Sequence, residues 1–272
     1  MNALVTNRYT DEWRLFGATL PRPRAILVIS AHWYIQQSAL TGMAQPKTIH
    51  DFYGFPDELF AMQYPAPGSK AIAEEIAEVV KPTWVGLDAD SWGLDHGAWS
   101  VLAHAFPNAD IPVIQLSING EKPLSYHFEL GARLAQLRQR GILIVGSGNV
   151  VHNLRALDFN QPDAGFDWAH RFNEAVCEKM ISAPDMIFAI QGHTDFRRAV
   201  PTPDHFIPLL YLAGLASAAR SATELLTDGY AYGAISMTCY TLGAHGTSAS
   251  PEKAGSAPLP NPTIVPPDDS NA

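Results

Sequence analysis

Ala25-Ile26-Leu27-Val28-Ile29-Ser30-Ala31-His32-Trp33 runs from an apolar, β-branched stretch straight into a histidine. A continuous apolar run of this length reads as a strand buried on both faces, the pattern of a parallel sheet covered by helices. In such sheets ligands bind in the crevice beyond the carboxyl ends of the strands, which is where His32 falls. Alone, the segment is equally a core strand whose histidine closes a loop. A second segment repeats the arrangement: Gly141 to Ser147 is another short β-branched run, and it leads through Gly148 and Asn149 to His152. Two strand ends that each deliver a histidine point to one shared site.

Outward from these strands, helical and extended patterns alternate. The spacing predicts a helix over Thr10 to Leu20 with Thr10 as N-cap, a weak strand over Ser38 to Met43 and an amphipathic helix over Ser69 to Val80. A strand at Trp84 to Leu87, a helix from Ala98 to Phe106, a strand at Ile111 to Ile118 and a helix over Leu124 to Arg140 follow. Beyond His152 the reading is helical over Phe166 to Ser182, Pro184 to Ile190 and Phe206 to Ala219, with one last strand from Tyr230 to Leu242. The expected architecture is α/β, a single domain with a central, mostly parallel sheet flanked by helices. The long connection from Pro46 to Pro67 is aromatic and punctuated by Pro and Gly, a feature of functional loops. Residues 246–272 are rich in proline, serine and glycine without periodicity and read as a disordered tail.

Of 272 residues, 47% are hydrophobic and 17% charged, the composition of an ordinary globular chain. The net charge of −9 and the lack of any long basic run argue against nucleic acid. No apolar run approaches the roughly 20 residues of a membrane span, and no signal peptide precedes the first helix, so no membrane partner and a cytoplasmic location are expected. The two cysteines, Cys177 and Cys239, lack CxxC spacing and support neither a disulfide framework nor a zinc–thiolate site.

Histidine is the unusual residue, with ten in the chain. His104, His127 and His170 fall within helices and read as surface or satisfied core positions; His193 and His245 fall in loops. His32, His50, His96, His152 and His205 each lie at a strand end or helix start beside Gly, Asp or Asn. Imidazole binds Fe(II) and Zn(II) and also exchanges protons near neutral pH, so this group suits a metal site with acid–base work beside it. Asn149 and Asn153 flank His152, and Asp95 precedes His96, as candidate partners that hold imidazoles in one tautomer.

Six ordered motifs carry a family resemblance: Ser30-Ala31-His32-Trp33, Thr48-Ile49-His50-Asp51-Phe52, Tyr64-Pro65-Ala66-Pro67-Gly68, Asp95-His96-Gly97, Ser147 to Leu154 with its Asn-Val-Val-His-Asn core, and Thr202-Pro203-Asp204-His205. Together they resemble the class III extradiol ring-cleaving dioxygenases, in the LigB-like branch that forms the 4,5-DOPA dioxygenase family. The resemblance runs from Met1 to Leu242 and makes residues 1–245 one catalytic domain. It implies O2 insertion into a catechol such as DOPA at a non-haem centre, with Fe(II) for ring cleavage and Zn(II) as a possible bound metal. It further implies His32, His152 and His205 as metal ligands, His152 and His96 as acid–base residues, and His50 and His96 in the substrate pocket. Phe52, Tyr53 and Phe55 supply candidate stacking walls for the ring. Family members carry a strand ending in His-Gly-Ser-Pro, whose histidine is a ligand, immediately ahead of the Met-Asn-Ala-Leu found at Met1 to Leu4; a further strand and ligand are therefore expected upstream. Two other readings use the same residues: a zinc hydrolase, which the absence of an HExxH helix disfavours, and a metal-free binding protein on this fold.

Overall fold

A computed structural model describes residues 2–243. The tail expected at residues 246–272, and His245, lie outside the described residues. The chain opens with helix α1 (Arg8–Thr19) and then enters β1 (Ala25–Ile35), the central strand of the molecule. Strands β2 (Ala39–Thr41), β3 (Gly86–Asp88), β4 (Val113–Asn119) and β5 (Ile142–Ser147) complete a five-stranded sheet in the order β3-β2-β4-β1-β5. β1 pairs in parallel with both β4 and β5, and β2 pairs in parallel with β3. A single antiparallel pair, Leu40 with Leu116, joins the two parallel blocks. The sheet is thus mostly parallel, as the alternation of elements implies.

β1 is buried on both faces because helices cover both. Leu27 and Ile29 face a core built with α5 (Leu124–Arg138), α6 (Asp167–Ser182) and α8 (Ile207–Ala219), while Ile26 and Val28 face a second core with Trp99 and Leu102 of α4 (His96–Ala105). Side chains two residues apart share a face, so one uninterrupted apolar run serves both cores. Past Ile29 the pairing of β1 with β4 is interrupted until Tyr34; Ser30 still pairs with Ser147 of β5, and Ala31 and His32 lie outside both ladders.

Several boundaries move for local reasons. Asn7, not Thr10, caps α1: the Asn7 side chain accepts from the N–H groups of Tyr9 and Thr10, and Thr10 returns a hydroxyl contact to the Asn7 N–H at 2.9 Å. The helix expected from Ala98 begins at His96, because the Asp95 carboxylate caps it through the Ala98 N–H at 3.1 Å. The segment from Pro184 is a 3-10 helix, Pro184–Gly192. The single strand expected from Tyr230 to Leu242 is three pieces, β7 (Tyr230–Ala231), β8 (Ile235–Ser236) and β9 (Cys239–Leu242), because Tyr232 and Gly233 both turn the chain at positive φ. β9 pairs with β6 (Thr223–Thr227), a strand that its mixed polar pattern conceals. Short helices α2 (Asp57–Phe60), α3 (Lys70–Val79) and α7 (Phe196–Ala199) complete the set; α3 matches its amphipathic pattern.

One edge of β5 and one edge of β9 have no strand partner among the described residues. Between them runs an apolar slot with a cavity of about 200 Å³, lined by Leu143, Val145, Leu209 and Tyr240 among others.

Helices α5 and α8 meet backbone to backbone. A Cβ at Gly131 would overlap the Tyr211 carbonyl, and one at Gly214 would overlap the Phe128 carbonyl. Gly214→Ala is therefore expected to destabilise the fold by about 1–3 kcal/mol or more, read as a lower urea midpoint at unchanged slope. In the same interface His127 is buried, its Nδ1 3.1 Å from the Tyr211 hydroxyl. Burial pushes its pKa down to about 4, against an opposing backbone hydrogen bond with Asn119. The unfolded chain takes up this proton near pH 6.5, before the folded one does. The stability present above about pH 6.5 accordingly declines as pH falls to about 4, by up to about 3 kcal/mol from this group. His127→Gln is expected to flatten that part of the stability–pH curve in thermal unfolding.

Candidate metal centre

The carboxyl end of β1 meets the amino end of α4, and the contact is close enough to require Gly97. A Cβ there would collide with the Ser30 hydroxyl and lie 2.9 Å from Cδ2 of His32. Beneath the junction sits Asp95, fully buried. Its carboxylate accepts from the Ser30 hydroxyl at 2.7 Å, from the Ala98 N–H and from the Gln115 side-chain amide. With so many donors a buried carboxylate is held in place without a cationic partner. This network sets where His32 and His96 stand.

The loop after β2 brings Asp51 to both histidines. Its Oδ2 lies 3.2 Å from His32 Nδ1 and its Oδ1 3.0 Å from His96 Nδ1. Oδ1 also accepts the His96 backbone N–H at 3.0 Å. The two imidazole contacts are short, but neither ring N–H is aligned for a hydrogen bond. His32 Nδ1, Asp51 Oδ2 and His96 Nδ1 are all buried without a hydrogen-bond partner among the described residues. Buried polar atoms left unpaired are costly. Here the ligand atoms of the three side chains lie within 4.8 Å of one another, close enough to hold one ion. Two imidazoles and a carboxylate form a donor set that suits a divalent transition metal with open positions.

The charges respond to this packing. Burial works against ionisation of Asp51, but the His32 and His96 contacts outweigh it and hold the carboxyl well below its usual range. For His32, burial lowers the pKa, yet Asp51, Asp95 and Asp204 together raise it above the ordinary value. For His96, burial and then the His32 charge prevail over Asp51, and its pKa falls. The pair holds one proton more readily than two.

Two more imidazoles extend the cluster. The rings of His32 and His96 lie 3.9 Å apart, those of His32 and His205 5.1 Å, and those of His205 and His152 are stacked at 3.5 Å and 6°. Burial, followed by the His32 and His96 charges, pushes His152 down to about 3. His205 is lowered as well, by burial and then by its neighbours, so the stacked pair is neutral near pH 7. His205 Nε2 is a further buried nitrogen without a hydrogen-bond partner.

A cavity of about 270 Å³ opens onto His32, His96, His152 and His205, with Phe52, Phe55, Leu59, Trp99, Tyr232 and Met237 among its walls. Of the expected pocket residues, Phe52, Phe55 and His96 line it. His50 does not: its Nε2 contacts the Met62 carbonyl at 2.9 Å, and its ring packs behind Phe52 and against Trp99. Tyr53 is also absent from the lining and is 39% exposed. Asp51 is the residue that sequence reasoning passed over. Its only signal was a carboxylate beside His50 in a histidine-bearing loop.

The chain matches the family model described as the catalytic LigB subunit of aromatic ring-opening dioxygenase over residues 6–243. The chain belongs to this LigB family. It is 43% identical over 247 residues to a 4,5-DOPA dioxygenase extradiol of Escherichia coli K12, covering 89% of this chain and 91% of that protein. A relative of the same description from Beta vulgaris is 33% identical, covering 86% and 88% of the two chains. The crystal structure of an uncharacterised E. coli K12 protein superposes with a TM-score of 0.75 at 39% identity, covering 86% of this chain and 92% of that one. The LigB-type chain is accordingly an extradiol dioxygenase, an oxidoreductase of a metal-dependent family, and the His32–Asp51–His96 group is present in it. No helix among the described residues is long and apolar enough to cross a membrane.

Removal of the Asp95 carboxylate would strand the Ser30 hydroxyl, the Gln115 amide and the Ala98 N–H at once. At about 1–3 kcal/mol per orphaned buried group, Asp95→Ala is expected to cost several kcal/mol in urea denaturation.

Proposed function

We propose that this LigB-family chain opens the ring of a catechol such as DOPA with O2 at a mononuclear non-haem Fe(II), with Zn(II) able to occupy the same donors. The observation that carries this reading is the convergence of three buried donor atoms without hydrogen-bond partners, from His32, Asp51 and His96, beside an aromatic cavity that His32 and His96 line. When bound there, iron supplies the redox chemistry that joins a catechol to O2, which zinc does not. The donor set differs from the expected His32, His152 and His205. His32 is common to both, and His205 brings its unpartnered Nε2 to the same pocket.

The remaining steps belong to the protein. Phe52, Phe55 and Trp99 offer flat apolar surface to a ring and displace water from it. Burial keeps His152 neutral, which leaves a ring nitrogen free to accept a hydrogen bond from a catechol hydroxyl, and this reading gives it the acid–base role there. Its stacking on His205 fixes the ring plane. A small-molecule substrate without a nucleic-acid partner fits the net charge of −9.

Anaerobic Fe(II) loading, followed by oxygen uptake and visible absorbance on adding L-DOPA or unsubstituted catechol, tests the proposal on this chain and on one extended upstream. Oxygen consumption with a yellow ring-opened product is expected, greater in the extended chain. His152→Phe is expected to bind metal normally and to lose about 10²–10⁴-fold in turnover. Iron binding without oxygen uptake in either chain would overturn the reading.

A further inference from the structure

Asn149 and His205 are 56 positions apart in sequence and are bound to each other twice. The Asn149 N–H donates to the His205 carbonyl at 2.9 Å, and the Asn149 Oδ1 lies 3.0 Å from His205 Nδ1. Sequence proximity assigned Asn149 to His152; the fold gives it to the other member of the stacked pair.

The orientation of the Asn149 amide is not free. Its Nδ2 donates to the Ser236 carbonyl at 2.8 Å. Turning the amide over would set two carbonyl oxygens against each other and an N–H₂ against His205 Nδ1. Ser236 is itself immobile: its N–H donates to the Val151 carbonyl at 3.0 Å, and its hydroxyl accepts the Val151 N–H at 2.9 Å. Gly148 presses so closely on the His205 carbonyl that a Cβ would overlap it. Residues 148–151, β8 and His205 therefore form one rigid frame.

With only an acceptor offered to it, His205 Nδ1 must carry the hydrogen. The opposing influence is Asp204, whose Oδ2 lies 3.8 Å from His205 Nε2. At that separation no hydrogen bond forms, so the 3.0 Å contact decides. His152, stacked on the ring face, and His32, edge-on at 5.1 Å, offer no competing acceptor in the ring plane of Nδ1.

We propose that Asn149 is a positioning residue that locks His205 in the Nδ1–H tautomer and keeps the Nε2 lone pair directed to the pocket. There Nε2 is able to donate to a metal or take a proton from a hydroxyl, which the Nε2–H form cannot do. The use of that lone pair rests on the ring-cleavage reading; the tautomer does not.

Long-range ¹H–¹⁵N correlation spectra of the metal-free, ¹⁵N-labelled full chain report each imidazole tautomer directly, with the His205 signals assigned by their loss in His205→Gln. The wild type is expected to show His205 protonated on Nδ1 alone. Asn149→Leu is expected to give a mixed or Nε2–H population and a 10–100-fold loss of metal affinity or kcat, with KM changing little. A wild-type His205 protonated on Nε2 would overturn the proposal without recourse to any variant, as would an unchanged tautomer in Asn149→Leu. A locked tautomer in a chain that takes up no oxygen would instead count against the ring-cleavage reading alone.

Discussion

β1 has no solvent-facing side. Residues Ala25 to Ile29 are fully buried, with helices over both faces and parallel strands on both edges. A strand so enclosed must end in a crevice, because the helices that follow parallel strands leave the carboxyl ends open. The active pocket is a consequence of that geometry. His32 faces it because the pairing of β1 with β4 is interrupted between Ile29 and Tyr34, and His32 lies in that gap.

The crevice is then furnished with charge. Carboxylates approach the imidazoles from two depths: Asp95 from below, held by hydrogen bonds, and Asp51 from the side, in contact with two rings. Their effects are unequal. Asp51 and its neighbours raise the proton affinity of His32, whereas burial keeps His152 and His205 neutral even with Asp204 beside His205. Of the four imidazoles that share the pocket, only His32 has its proton affinity raised, and those of His96, His152 and His205 are lowered.

Much of this was legible in the chain. The apolar runs ending in His32 and leading to His152 identified both strands and the face of the sheet that carries the site, and the amphipathic spacing around Ile72 and Ile76 identified α3. Failures cluster where a local pattern meets a tertiary demand. Tyr232 is a poor residue for positive φ, and no propensity argument anticipates a turn there; the fold imposes it while lining the pocket with its ring. β6, with polar residues at Thr223, Glu224 and Thr227 around Leu225 and Leu226, shows no strand alternation, and only its pairing with β9 makes it a strand. His50, placed by its motif in the pocket, turns away because the Met62 carbonyl offers its Nε2 a partner.

By itself the sequence determined the α/β class, the histidine-rich strand ends and the family, because these depend on periodicity and on residue types met in order. Only the tertiary structure decided which groups touch. Asp51 reaches His32 and His96 across the β2 loop, Asn149 serves His205 in place of its near neighbour His152, and Gly131 and Gly214 let two helices meet at their backbones. The reason is physical: hydrogen bonds and ion contacts act over about 3 Å in space, and residues tens of positions apart come within that reach only after the cores on both faces of β1 have closed.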